Sequence, residues 1–468
     1  MFGIGKESSS ACSLLRSLRL HDPVFLVWSQ QTAGGIVKTA ASALDPAELL
    51  FKAVDADEAD RVGEVIEQHP ELRTRLDPLS GRAFGSTALL CAVQNNNRKM
   101  IDVLVREGAN IDARSRWWAG GFGVLDTADL ALVPFLLERG ATLDVHAAAR
   151  LGMLEELRRM VAAKPGAVHA RGGDHQTPLH FAADVPTARY LVESGSEIDA
   201  RDFDHESTPA QYMVRDRPSV ARFLVSCGCS TDILMAAALG DADLVRWHLE
   251  RDSNSIRTSV SEEYFPKKDP RSRGTICIWT LGWHKTAHMV ARDFGHDEIL
   301  RLLMERSSPE LRLTMACELG DESAMKSLLA SRPSLIQDLR DEDKRRLAYA
   351  AQNNNTAAVT LLLRAGWPVD VRGQHGATPL HWAAWHGNSD AVHEMLRYGP
   401  DLEAVSGDYN LSPLGWAFHG SLNGWHRETG DYGATVKALL RAGAKPLREV
   451  SEVKASAVAL EALREAGS

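Results

Sequence analysis

Short apolar runs at helical spacing recur along the chain, and a glycine closes many of them. In Ala391-Val392-His393-Glu394-Met395-Leu396-Arg397-Tyr398-Gly399 the apolar residues fall at 391, 392, 395 and 396, one face of a helix, and Gly399 takes the left-handed turn that ends it. Tyr190-Leu191-Val192-Glu193-Ser194-Gly195 and Arg222-Phe223-Leu224-Val225-Ser226-Cys227-Gly228 close in the same way, with their glycines 33 residues apart. A shorter, alanine-rich segment stands before such helices, as in Leu380-His381-Trp382-Ala383-Ala384. The pattern predicts pairs of short helices repeated at a fixed period, each burying its apolar face against its neighbours.

Thr177-Pro178-Leu179-His180 recurs as Thr378-Pro379-Leu380-His381, 201 residues on, which is about six periods of roughly 33 to 34 residues. Proline suits the first helical turn, where a missing N–H costs nothing. The small alanine pair lets adjacent helices approach. These segments resemble the ankyrin repeat, and the resemblance implies an all-α fold: an ankyrin-repeat solenoid of about twelve helix-turn-helix units with β-turn fingers. Further copies run from Thr87 to Ala109, Val145 to Val161, Thr208 to Gly228, Asp232 to Leu249, Thr286 to Leu303, Leu311 to Leu329, Arg345 to Gly366 and Ser412 to Ala444, with a shortened one from Phe122 to Ala141. Ala47 to His69 reads as an N-terminal cap and Val450 to Ala466 as a closing helix. Asn95-Asn96-Asn97 and Asn353-Asn354-Asn355 put their middle asparagine where the repeat expects glycine, a backbone substitution and not a ligand box.

The expected organisation is an extension over 1–43, repeats over 44–251, an aromatic-containing insertion over 252–283, repeats over 284–446 carrying an inserted loop at 420–432, and a capping helix over 447–468. Hydrophobic residues at 44% and charged residues at 25% fit an ordered chain. The net charge of −9 argues against a nucleic-acid partner, because phosphate binding needs a concentrated basic face. No apolar run is long enough to span a membrane, and Arg16, Arg19, His21 and Asp22 interrupt any secretory core. Six scattered cysteines suggest a reducing compartment, so a cytoplasmic location is expected. Cys227-Gly228-Cys229 lacks the usual metal spacing, and His284 with His288 has neither an adjacent glutamate nor a third ligand, so neither a metal nor another cofactor is expected.

Functional hints in a repeat array lie where it departs from its repeat. The insertion over 252–283 and the loop over 420–432 both contain Gly-Trp-His, as Gly282-Trp283-His284 and Gly424-Trp425-His426, and seven of the eleven tryptophans lie between 279 and 425. The position after the alanine pair faces the groove between first helices; it holds Trp385 and His419 in adjacent repeats, beside His386. Trp382 and Trp416 stand at core positions, and His180 and His381 at the repeat's structural histidine. The expected partner-binding residues are therefore Trp283, His284, Trp385, His386, His419, Trp425, His426 and Tyr432, as an exposed aromatic-histidine cluster. Trp385 either meets a ligand or packs under the Trp425 loop; both remain open at this level. The resemblance implies a non-catalytic, monomeric scaffold that binds a protein through its concave face, with no catalytic residue. The alternative is an enzyme or small-molecule binder whose site is built from 252–284 and 420–432, with His284, His426, Glu428 and Asp431 as its acid–base groups.

Overall fold

The computed structural model describes residues 45–79, 82–445 and 453–467. The expected extension over 1–43 and the first part of the closing segment, 447–452, lie outside the described residues. The described chain divides into two compact units, one of residues 45–248 and 258–283, the other of residues 249–257 and 284–467. Both are stacks of antiparallel helix pairs, with no β-sheet among the described residues. The first unit runs from the pair Pro46–Asp55 and Ala59–Gln68 to Ile233–Leu239, and the second from Ala287–Asp293 to Pro413–Asn423 and Tyr432–Ala442, closed by Ala457–Gly467.

Local sequence sets the ends of these helices. Thr177, Thr208 and Thr378 are N-caps with proline at the first helical position and a third helical residue whose side chain reaches back to the cap backbone. The middle asparagines, Asn96 and Asn354, sit at φ 59° and 53°, in the left-handed region that glycine occupies in sister repeats such as Gly387 at φ 62°. Alanine pairs do the packing: Ala148, Ala149, Ala236, Ala237, Ala383 and Ala384 are fully buried, or nearly so, between helices. Each unit has its own apolar core, centred on residues such as Leu90, Leu104 and Leu136 in the first, and Leu347, Leu362 and Leu380 in the second.

The expected histidine struts are present. The Thr378 backbone N–H donates to His381 Nδ1 at 3.1 Å, and His381 Nε2 donates to Leu411 O of the next repeat at 3.0 Å. His180 does the same between Thr177 N, at 3.1 Å, and Ser207 O, at 3.3 Å. One imidazole thus satisfies a helix N-terminus in its own repeat and a carbonyl in the following one, and it can do so only while Nδ1 is unprotonated. The insertion is equally ordered. In the second unit Arg257 donates to Asp343 at 2.8 Å. In the first unit Arg273 lies between the rings of Phe84 and Trp117, 4.5 and 4.6 Å from their centroids, and Arg215 donates to Thr280 O.

Burial lowers the pKa of His180, His288 and His381 to about 4, against about 6.5 for a free imidazole. The unfolded chain then binds more protons than the folded one between these values, so this stability is complete above the free value and disappears as the pH falls through the folded one. Thermal melts of the whole chain should therefore show a falling midpoint from about pH 6.5 towards pH 4. His381→Ala should cost about 1–3 kcal/mol in urea unfolding, since it strands the Thr378 N–H.

Candidate functional site

The inserted loop of the second unit is shorter than the chain pattern suggests. The helix Pro413–Asn423 continues through its first four residues, and Tyr432 already opens the helix Tyr432–Ala442, with Asp431 as its cap accepting from Ala434 N at 2.8 Å. The connecting turn over 424–431 lies against the end of the helix Pro379–His386, where helical carbonyls lack intrahelical partners. Tyr432 donates its hydroxyl to one of these, Trp385 O, at 2.8 Å. Glycine is required for the rest of the approach. A Cβ on Gly420 would stand 2.4 Å from Trp385 O, one on Gly424 2.9 Å from the same oxygen, and one on Gly430 2.3 Å from His386 O.

An aromatic cluster sits beneath this turn. Trp385 meets Trp416 edge-on at 6.1 Å and Trp425 at 6.4 Å, with His419 at 5.5 Å, while His386 touches Trp425 at 5.5 Å and His426 at 5.1 Å. The exposure expected of this cluster needs correcting. Trp385 is 5% exposed, His386 2% and Tyr432 3%, because the glycine-bearing turn covers the face beside the alanine pair. Trp382 and Trp416 are core, as their repeat positions imply. The outer layer consists of His419, Trp425 and His426, half-buried, with Leu422 beside them 44% exposed. Of the two openings for Trp385, packing under the loop is the one that forms. Three polar atoms in or beside the cluster, Trp382 Nε1, Trp385 Nε1 and His386 Nδ1, are buried without a hydrogen-bond partner.

The two Gly-Trp-His triplets are not built alike. Trp283 belongs to the first unit and is half-buried, whereas His284 belongs to the second, at φ 55°, stacked 3.7 Å from the Tyr349 ring at an interplanar angle of 6°. His284 Nε2 bonds Gln352 Oε1 at 3.1 Å, and His386 Nε2 donates to Gln352 O at 2.9 Å, so one glutamine ties both histidines. Beside them Arg346 donates to the His284 carbonyl at 2.8 Å and makes two bonds to Glu318, at 2.9 and 2.7 Å. Burial holds His284 at about 3 and His386 at about 4, and lowers His419 as well. A general base works with a pKa near the operating pH, and His284 and His386 are far from it. Of the remaining acid–base candidates, Glu428 is exposed beside Arg427, Asp431 caps its helix, and His426 is half-buried against His386.

The paired short helices, the threonine–proline caps and the bridging histidines coincide with matches to known proteins. The family described as Ankyrin repeats (3 copies) matches residues 313–406, and Ankyrin repeat matches 84–116 and 174–203. The chain carries ankyrin repeats over these residues. Curated relatives share only the repeats. Palmitoyltransferase Hip14 of Drosophila melanogaster is 30% identical over 148 residues, 31% of this chain and 22% of that protein. Probable E3 ubiquitin-protein ligase XBOS31 of Oryza sativa subsp. japonica is 34% identical over 102 residues, 22% of this chain and 23% of that protein. Ankyrin repeat domain-containing protein 49 of Bos taurus is 36% identical over 67 residues, 14% of this chain and 28% of that protein. The chain thus spans about a quarter of the length of these relatives. Within the ankyrin frame, three residues of the site went unread in the chain pattern: Gly420, Gly430 and Gln352. The glycines look like loop flexibility until the carbonyls they admit are known, and Gln352 looks like an ordinary solvated groove position.

Trp385→Ala should cost about 3–5 kcal/mol, the range for truncating a buried aromatic, as read from the denaturant midpoint. Gly420→Ala should destabilise the turn without removing any side-chain contact, because the added methyl must displace the Trp385 carbonyl.

Proposed function

We propose that this ankyrin protein acts as a non-catalytic scaffold and that its protein partner docks on the rim formed by His419, Leu422, Trp425 and His426 of the second unit. The observation that carries this reading is an exposed leucine, 44% accessible, beside a half-buried tryptophan held on a rigid aromatic base. Aromatic side chains anchored in a packed surround are favoured as binding hot spots, since little side-chain entropy is lost on contact. Ankyrin repeats as a class support a protein-interaction role. The transferase and ligase activities in the relatives' names belong to proteins that this chain matches only in the repeats, and the reading does not carry them over. The low pKa values of the buried histidines favour a binding surface over acid–base chemistry.

The test compares affinity capture by the native chain, by Leu422→Glu with His426→Ala, and by Trp247→Glu, which alters an exposed tryptophan of the first unit. The rim variant should lose the captured protein by roughly tenfold or more, a change of at least about 1.4 kcal/mol, with its far-UV dichroism and melting midpoint unchanged. The Trp247 variant should retain it. Equal capture by all three, or loss only with Trp247→Glu, overturns the rim as the docking surface.

A further inference from the structure

Away from this rim, the first unit brings together two successive repeat fingers, Gly173-Asp174-His175 and Asp202-Phe203-Asp204-His205, against the ordered part of the insertion. Phe203 N donates to Asp174 O at 2.8 Å, Arg273 N to Asp204 O at 2.9 Å, and Ser272 Oγ to the same carbonyl at 2.8 Å. Three carboxylates and an imidazole are buried here: Asp174 is 6% exposed, Asp202 2%, Asp204 0% and His205 6%. Asp202 is accounted for, because it accepts from Ser207 N and His205 N at 2.7 Å each and from the Tyr212 hydroxyl at 3.1 Å. The other three have one potential ligand atom each within 4.8 Å of one another.

Two features point to a bound cation. Asp174 Oδ1 is buried with no hydrogen-bond partner. His205 is oriented independently: its Nδ1 donates to Gly274 O at 2.9 Å, and its Nε2 stands 3.5 Å from Asp204 Oδ2. Locking the distal nitrogen on a carbonyl is how proteins aim a histidine at a metal. Two oxygen and nitrogen ligands on one ion at about 2.0–2.2 Å stand at that kind of separation. Arg273 reaches the group with Nε 3.9 Å from Asp204 Oδ2, but one guanidinium faces three buried carboxylates.

We propose that Asp174, Asp204 and His205 form a binding site for one divalent transition-metal ion, which ties both fingers to the insertion. Two carboxylates with one imidazole suit zinc or manganese better than calcium or magnesium, which favour oxygen ligands alone. A cavity of ≈ 210 Å³, lined by His205, Gln211, Tyr264, Phe265, Lys268 and Ser272, borders the histidine and offers a route in. The site's place in the array is structural: it joins neighbouring repeats where the insertion replaces the regular stack.

The experiment uses the full chain stripped with a chelator and titrated calorimetrically with ZnCl₂, MnCl₂, CaCl₂ and MgCl₂, alongside thermal melts. Zinc or manganese should bind at one equivalent, raise the melting midpoint, and bind more weakly as the pH falls from 7 to 5, because protons compete for the ligands. Asp174→Asn and His205→Gln should each weaken binding by at least about tenfold. Asp174→Asn should leave the stripped protein as stable as the native chain, because it removes a buried charge and keeps the shape. Three outcomes overturn the site: no binding by any of the four ions, unchanged binding in both variants, or a preference for calcium or magnesium. The first would mean that a shared proton neutralises the Asp174–Asp204 pair.

Discussion

A pair of short helices cannot bury its own apolar face, so every repeat in this chain is stable only against its neighbours. In two of the repeats the contact that fixes the register is a neutral imidazole. His381 accepts from the N-terminal amide of its own helix and donates to the Leu411 carbonyl one repeat on, and His180 does the same to Ser207. Such a bond costs nothing in buried charge. Its directionality allows one spacing between repeats, where apolar contact alone would tolerate several.

The two departures from the regular stack are held by different physics. The turn over 424–431 is a backbone fit: glycines admit the terminal carbonyls of the Pro379–His386 helix, and a tyrosine hydroxyl satisfies one of them. The insertion is held by charge, through Arg257 on Asp343 in the second unit and the Arg273 sandwich in the first. Buried charge is tolerated where geometry pairs it fully, as with the two bonds between Arg346 and Glu318. At the fingers, Asp174, Asp204 and His205 bring potential ligand atoms within 4.8 Å of one another, and Asp174 Oδ1 has no hydrogen-bond partner, which is the reason to expect an ion there.

Much of the architecture is legible in the chain itself. Thr-Pro-Leu-His reads as a helix start, and its histidine as a strut, because both follow from local hydrogen-bonding needs that recur at every repeat. Asn96 and Asn354 are readable as left-handed stops for the same reason. The candidate site was legible in membership and not in layering. Trp385, His386, His419, Trp425, His426 and Tyr432 do gather in one unit, but which of them face solvent depends on how closely the turn approaches, and that is set by carbonyls on another helix.

The aspartate–histidine group was invisible at that level. Asp174, Asp204 and His205 stand at ordinary finger positions, and no spacing of theirs matches a ligand motif. What the chain by itself determined is everything governed by short range: helix starts and stops, the repeat period, the alanine faces, and hence the ankyrin fold. What only the tertiary structure decided is burial: it turned Trp385 and His386 inward, made Gln352 a bridge between histidines, and gathered three acidic finger residues out of water. Burial at a given residue depends on chain segments tens of residues away, and no local pattern encodes their approach.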